Sequence, residues 1–224
     1  MHATTYQDRR AEIETYFDKT AMAAWAKLTS AAPVSGIRAK VRAGRDEMRN
    51  TLLSWLPADM TGMRLLDAGC GTGALALEAA ARGATVTAID LSPQLVALAA
   101  ERASHLPHAA RVTFRSGDML DPALGHFDYA VCMDSIIHYS AQDARAAITA
   151  LRARTSRAVL FTFAPRTLLL GTLLTIGKIL PRSDRSPMIE PQSERALRRL
   201  FPIARSHRVK AAFYTSQAME LPVC

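Results

Sequence analysis

The residues best suited to chemistry form a loop and three carboxylates. Leu65 to Gly73 reads LLDAGCGTG, and its glycines at 69, 71 and 73 let the backbone turn tightly and approach a ligand closely. Asp67 stands just before the glycines, Asp90 falls in AIDLS, and Asp118 falls in SGDML. Through Gly69, Gly71 and Ala74 the loop fits a relaxed dinucleotide fingerprint, so NAD competes on that pattern alone. The carboxylates decide otherwise. Asp67 repels a pyrophosphate and suits a cationic ligand, Asp90 can accept from two ribose hydroxyls, and Asp118 can accept from an adenine amino group beside the apolar Met119. A ribose, an adenine and a cationic amino-acid tail together describe S-adenosylmethionine (SAM). The expected cofactor contacts are Asp67, Gly69, Cys70, Gly71, Asp90, Leu91, Asp118, Met119 and Met133.

The surrounding pattern supplies the elements that position these residues. From residue 63 short apolar strands alternate with helices: strands at 64–66, 85–89, 112–115, 129–133 and 158–163, and helices from Ala74 to Ala81, from Pro93 and from Asp143. Gly83 is placed to end the first of these helices, and Pro93 to begin the second. Short connections between alternating elements indicate a parallel sheet covered on both faces. Ahead of it, 8–30 reads as a helix with Ile13, Phe17, Trp25 and Leu28 on its apolar side. A second helix, from Ser35 to about Leu56, places Ile37, Val41, Met48 and Leu52 on a core face. Arg38, Arg42, Arg45 and Arg49 share one stripe of that helix, where they form either a solvated face or one wall of an anion site. A helix at 193–200 and extended runs at 206–211 and 214–221 close the chain.

Composition is globular: 49% hydrophobic and 21% charged residues over 224 positions. Three scattered cysteines, at 70, 132 and 224, suggest neither a disulfide framework nor a zinc site. The polar N-terminus shows no apolar signal segment, which points to a cytoplasmic protein. The net charge of +8 is unevenly placed, since residues 165–210 hold ten basic and three acidic side chains. The basic residues there are not interleaved with aromatics, so nucleic acid is not expected as the partner. Within this segment RTLLLGTLLTIGKILPR, from Arg166 to Arg182, is too short to cross a bilayer. At helical spacing it gathers Leu169, Leu173, Ile176 and Leu180 on one broad apolar face.

LLDAGCGTG, AIDLS and SGDML together resemble the class I SAM-dependent methyltransferases. YFDKTAMAAWAKL, APVSGIRAKVRAGRDEMRNTLLSWLP, MDSIIHY, FTFAPRT, IEP and FYTSQAMEL narrow the resemblance to the magnesium-protoporphyrin IX methyltransferases of bacteriochlorophyll synthesis, over nearly the whole chain. The resemblance implies a Rossmann-like, doubly wound, mostly parallel seven-stranded sheet with an antiparallel last strand. It divides the chain into an N-terminal helical arm or lid (1–60), a SAM-binding core (61–164), a helical insertion over the substrate site (165–200) and closing strands (201–224). It implies methyl transfer from SAM to a propionate of magnesium protoporphyrin IX, giving the 13-monomethyl ester. Tyr16 and His138 become the catalytic pair that positions the carboxylate, which at a pKa near ~4.3 needs no strong base to ionise. Arg38, Tyr139, Arg166, Leu173 and Arg182 become substrate contacts. No protein metal site is expected; His105, His108 and His126 read as loop histidines. The pathway context adds the magnesium chelatase large subunit as a partner, and the basic apolar segment adds peripheral contact with the inner membrane. The alternatives are a methyltransferase for a quinone or phenol, and a non-catalytic carrier of SAM and porphyrin.

Overall fold

The computed structural model describes residues 5–30, 32–166, 187–211 and 214–223. Strands β1 (Arg64–Ala68), β2 (Thr85–Asp90), β3 (Val112–Ser116), β4 (Phe127–Cys132), β5 (Thr155–Phe163), β6 (Arg205–Ala211) and β7 (Tyr214–Pro222) build one sheet in the order β3-β2-β1-β4-β5-β7-β6. Pairings from β3 through to β5 are parallel, while β7 runs antiparallel to both β5 and β6.

Strands this apolar must bury both faces, and alternation divides them between two cores. Leu66, Ala68, Ala130, Cys132, Val159 and Phe161 face helices α6 (Ala141–Ala153) and α7 (Glu194–Leu200). Leu65, Val86, Ala88, Tyr129, Val131 and Leu160 face α3 (Gly36–Ser54) and α4 (Ala74–Ala81). On α3, Met48, Leu52 and Leu53 are buried, as the spacing predicts for the first two. Ile37 departs from that expectation: it is 57% exposed, in a first turn of α3 whose residues, 36–40, are all exposed.

Helix α3 lies close against the β6–β7 hairpin because residue 44 is glycine. A Cβ there would come within 2.7 Å of the Tyr214 ring and 2.9 Å of Ala211 Cβ. The order of strands reverses beside β1, whose neighbours are β2 and β4, and the crevice at their C-terminal ends is where such sheets bind ligands.

The arm is not the single helix that its apolar spacing predicts. It consists of α1 (Tyr6–Thr15), a π-helical turn at Tyr16–Thr20 and α2 (Met22–Leu28). The turn is tied to α5 (Pro93–Ala103), where Asp18 accepts from Ser92 Oγ at 2.9 Å and from the Gln94 amide at 3.1 Å. A carboxylate there also favours the positive end of the helix dipole. At the far end of α5, Arg102 donates to Ala26 O at 2.8 Å and to Thr29 Oγ1 at 3.1 Å. The arm is thereby strapped along α5, with its π turn over the crevice.

Candidate active site

At the end of β1 the chain crosses from strand to α4 through the glycine loop. Gly69 has φ +85°, and a side chain there would collide with Ser135 of the loop after β4. That close approach joins the two loops that frame the crevice. Its cavity is about 610 Å³. The floor is Asp67, Gly69, Cys70 and Gly71; Met133, Asp134, Ser135 and His138 form one wall; Tyr16, Phe17, Trp25 and Leu28 of the arm form the roof. Arg38, Arg42, Arg45 and Arg49 of α3 line it as well, so the basic stripe is a cavity wall.

A second cleft, of about 50 Å³, continues past Gly69, Asp90 and Ser135, which line both spaces. It reaches Leu91, Asp118, Met119 and Tyr139. All nine residues expected to contact the cofactor thus border one or other of these adjoining spaces.

Electrostatics fit a cationic ligand. Asp67 is 2% exposed, and its Oδ2 lacks a hydrogen-bond partner among the described residues. Burial, with the charge of Asp90 added, pushes its carboxyl up to about 7. An ammonium group placed there would supply the missing partner. Asp90 is also raised by burial, opposed by the Gly71 amide at 2.8 Å and the Ser92 amide at 3.0 Å, which hold its two oxygens in place. Asp118 accepts from the Leu120 amide at 2.8 Å, from Tyr6 Oη at 2.9 Å and from Arg10 at 3.0 Å. The arm therefore shares the acceptor expected to serve the adenine.

His138 is 7% exposed, and its Nδ1 lies 3.1 Å from Pro187 O. A carbonyl can only accept, so Nδ1 carries the proton. Burial lowers the pKa of the imidazole, so the neutral ring keeps a lone pair on Nε2. Phe17 sits edge-on to the ring at 6.0 Å. Tyr16 begins the π turn and borders the same cavity, its ring edge-on to Phe17 at 5.1 Å.

The expected substrate contacts divide. Arg38 borders the main cavity without an ion pair to any described residue. Tyr139 does not border it; it lies on the small cleft, stacked on Tyr6 at 5.0 Å. Arg166 is exposed, and its backbone amide bonds to Gln192 O. Leu173, Arg182 and the rest of the apolar helix expected at 169–180 lie outside the described residues, as does Cys224. Sequence reasoning missed Asp134 and Ser135. Asp134 accepts from Arg45 at 2.6 Å, from Thr162 and Ser216 at 3.0 Å each, and from Tyr214, while holding a left-handed φ of +53°. An aspartate directly after a buried apolar strand was the available signal.

Strand order, the antiparallel β7 and the glycine loop at the β1 end define a class I SAM-dependent methyltransferase. A general methyltransferase-domain family model matches residues 65–157, and a model of the magnesium-protoporphyrin IX methyltransferase C-terminus matches residues 132–222. Magnesium-protoporphyrin O-methyltransferase of Rhodobacter capsulatus is 48% identical over 220 residues, 96% of this chain and 97% of that protein. Its Synechocystis counterpart is 29% identical over 95% of this chain and 96% of its own length. The crystal structure of Synechocystis magnesium protoporphyrin IX methyltransferase with bound S-adenosylhomocysteine superposes with a TM-score of 0.85, at 27% identity, covering 96% of this chain and all of that one. The chain belongs to the magnesium-protoporphyrin O-methyltransferase family. By contrast, a ubiquinone biosynthesis O-methyltransferase of Xanthomonas oryzae is 42% identical over 83 residues, only 36% of this chain.

Proposed function

We propose that the chain transfers the methyl group of SAM to one propionate carboxylate of magnesium protoporphyrin IX, giving the 13-monomethyl ester and S-adenosylhomocysteine in bacteriochlorophyll biosynthesis. The observation that carries this reading is the likeness to magnesium-protoporphyrin O-methyltransferase over nearly the whole chain, acceptor half and arm included. The quinone methyltransferase shares only about a third of it.

SAM supplies an electrophilic methyl group on a sulfonium. Asp67, Gly69, Cys70 and Gly71 would hold its amino-acid end, Asp90 the ribose, and Leu91, Asp118 and Met119 the adenine, with Met133 beside the reacting centre. The remaining work falls to the chain's own residues. The propionate is ionised in water and needs no strong base there, but desolvation in a dry cavity raises its pKa, so that it can hold a proton that a weak base must take. The Nε2 lone pair of His138 then accepts that proton, while Tyr16 orients the carboxylate. Because Nδ1–H is already committed to Pro187 O, the ring is fixed in the accepting tautomer. Phe17, Trp25 and Leu28 exclude water, so that opposite charges meet in a poorly solvating site.

Within the same reading, residues 1–60 act as a lid, and 165–200, with Arg166, Leu173 and Arg182, contact the tetrapyrrole. Their basic excess supports peripheral contact with an anionic membrane surface. No helix among the described residues is long and apolar enough to cross a membrane. The substrate must come from the reaction that inserts magnesium, which makes the magnesium chelatase large subunit the natural partner. Incubating purified protein with magnesium protoporphyrin and SAM tests the reading; it requires a porphyrin ester by mass, and failure to form one contradicts it.

A further inference from the structure

Of the four arginines on the cavity wall, two are spent on the fold. Arg42 donates to the carbonyls of Leu28, Lys27 and Ala32, and Arg49 pairs with Asp46 and Glu78. Arg45 is different. One nitrogen of its guanidinium donates to Asp134 at 2.6 Å, and its face lies 4.5 Å from the centre of the Trp25 ring. A guanidinium has five N–H donors, so this arrangement fixes the group and leaves most of the fork unused on the cavity side.

The neighbours of Arg45 locate it. Trp25 Nε1 comes within 3.3 Å of where a side chain on Gly71 would begin, so the ring lies across the glycine loop. Asp134 is followed directly by Ser135, which packs on Gly69. Arg45 is therefore bracketed by groups that touch Gly69 on one side and Gly71 on the other. These are the residues next to Asp67, whose buried Oδ2 has no hydrogen-bond partner among the described residues. An anchored cation beside a buried unpaired carboxylate is complementary to a zwitterion. Arg38, seven residues earlier on α3, stands about 10 Å away along the helix axis.

We infer that Arg45, held by Asp134 and Trp25, receives the α-carboxylate of the SAM amino-acid tail while Asp67 receives its ammonium. This rests on the SAM-dependent reading above and deepens it. Asp134 carries four side-chain donors so that Arg45 is held rigidly, and Tyr214, Ser216 and Thr162 keep that carboxylate from collapsing onto the ligand's own cation. Arg45 is a binding residue and takes no part in the transfer.

The test compares SAM with decarboxylated SAM, which keeps the ammonium and loses only the carboxylate, by calorimetric binding without porphyrin. Arg45→Met should weaken SAM binding about tenfold or more and leave decarboxylated SAM nearly unchanged. Arg45→Lys keeps the charge and the pair with Asp134 but loses the fork; it should give a smaller loss with the same selectivity, and carries the test where Arg45→Met does not fold. Equal losses for both ligands would overturn the inference and make Arg45 structural. Unchanged SAM binding with weakened porphyrin binding would overturn it too, assigning the carboxylate to the substrate. A wild-type chain that binds neither ligand would instead overturn the functional reading, and this inference with it.

Discussion

Ser92 Oγ donates to Asp18 Oδ1 at 2.9 Å, and through that contact the cap of a core helix holds the π turn of the arm over the cavity. Neither residue looks functional in isolation. Ser92 caps α5 by accepting from the Leu95 amide, and Asp18 adds a charge at the positive end of the same helix. Between them they fix where Tyr16 and Phe17 stand, since both belong to the turn.

Asp18→Ala should therefore loosen the arm more than it destabilises the fold. The part-buried contact is worth about 1 kcal/mol, so the melting temperature should move by only a few degrees. Trypsin cleavage after Lys19 and Lys27 should accelerate several-fold, and turnover should fall with it. Unchanged cleavage would show that the strap at Arg102 suffices.

Cofactor affinity should depend on pH through Asp67. Without ligand its carboxyl titrates near 7, and an ammonium partner would lower that value. Binding therefore releases a proton below about pH 7, and the dissociation constant should rise towards tenfold per pH unit as pH falls. Above pH 7 Asp67 adds no dependence. Asp67→Asn should weaken binding by about 1.5–3 kcal/mol and flatten the profile. Calorimetry in buffers of different ionisation enthalpy counts the released proton directly.

For His138, the lowered pKa places the acid limb of turnover below about pH 6.5, the ordinary value for imidazole. Protonation at Nε2 removes the lone pair the mechanism uses, so activity should fall as pH drops through that limb. His138→Ala should reduce kcat by about 10²-fold or more with SAM affinity intact. Full turnover at unchanged porphyrin affinity would remove His138 from the mechanism.

Gly44→Ala should destabilise the protein, although alanine favours helix by about 1 kcal/mol over glycine. The added methyl group overlaps the Tyr214 ring and Ala211 Cβ. Pushing Tyr214 aside also disturbs its hydrogen bond to Asp134 at 3.0 Å. A lower melting temperature together with weaker SAM binding is expected; a stabilised variant would show that α3 can slide on the hairpin.

The core was legible because its signals are local. Strand boundaries at β1 to β3 fall within two residues of the periodicity, and Gly83 ends α4 at φ +98° as its position suggests. The cofactor loop was legible for the same reason, since glycine spacing and strand-end carboxylates are read along one stretch of chain. The arm was not. Its apolar spacing suits a continuous helix, and the π turn at Tyr16–Thr20 accompanies the tertiary contact from Asp18 to α5. Ile37 was misplaced because periodicity marks a face without showing how far along the helix that face is covered, and residues 36–40 are all exposed. Tyr139 follows His138 directly, yet the extended backbone after the short helical turn sends it to the other cleft. Asp134 became visible only when α3, β5 and β7 converged on it.

One measurement bears most directly on the account: a single turnover with isotopically labelled methyl on SAM and magnesium protoporphyrin IX as acceptor. The account predicts that the label appears on the porphyrin as one methyl ester, removable by mild alkaline hydrolysis, and that this is lost in His138→Ala. Label that stays on SAM, or moves only to an added phenol or quinone, would contradict it.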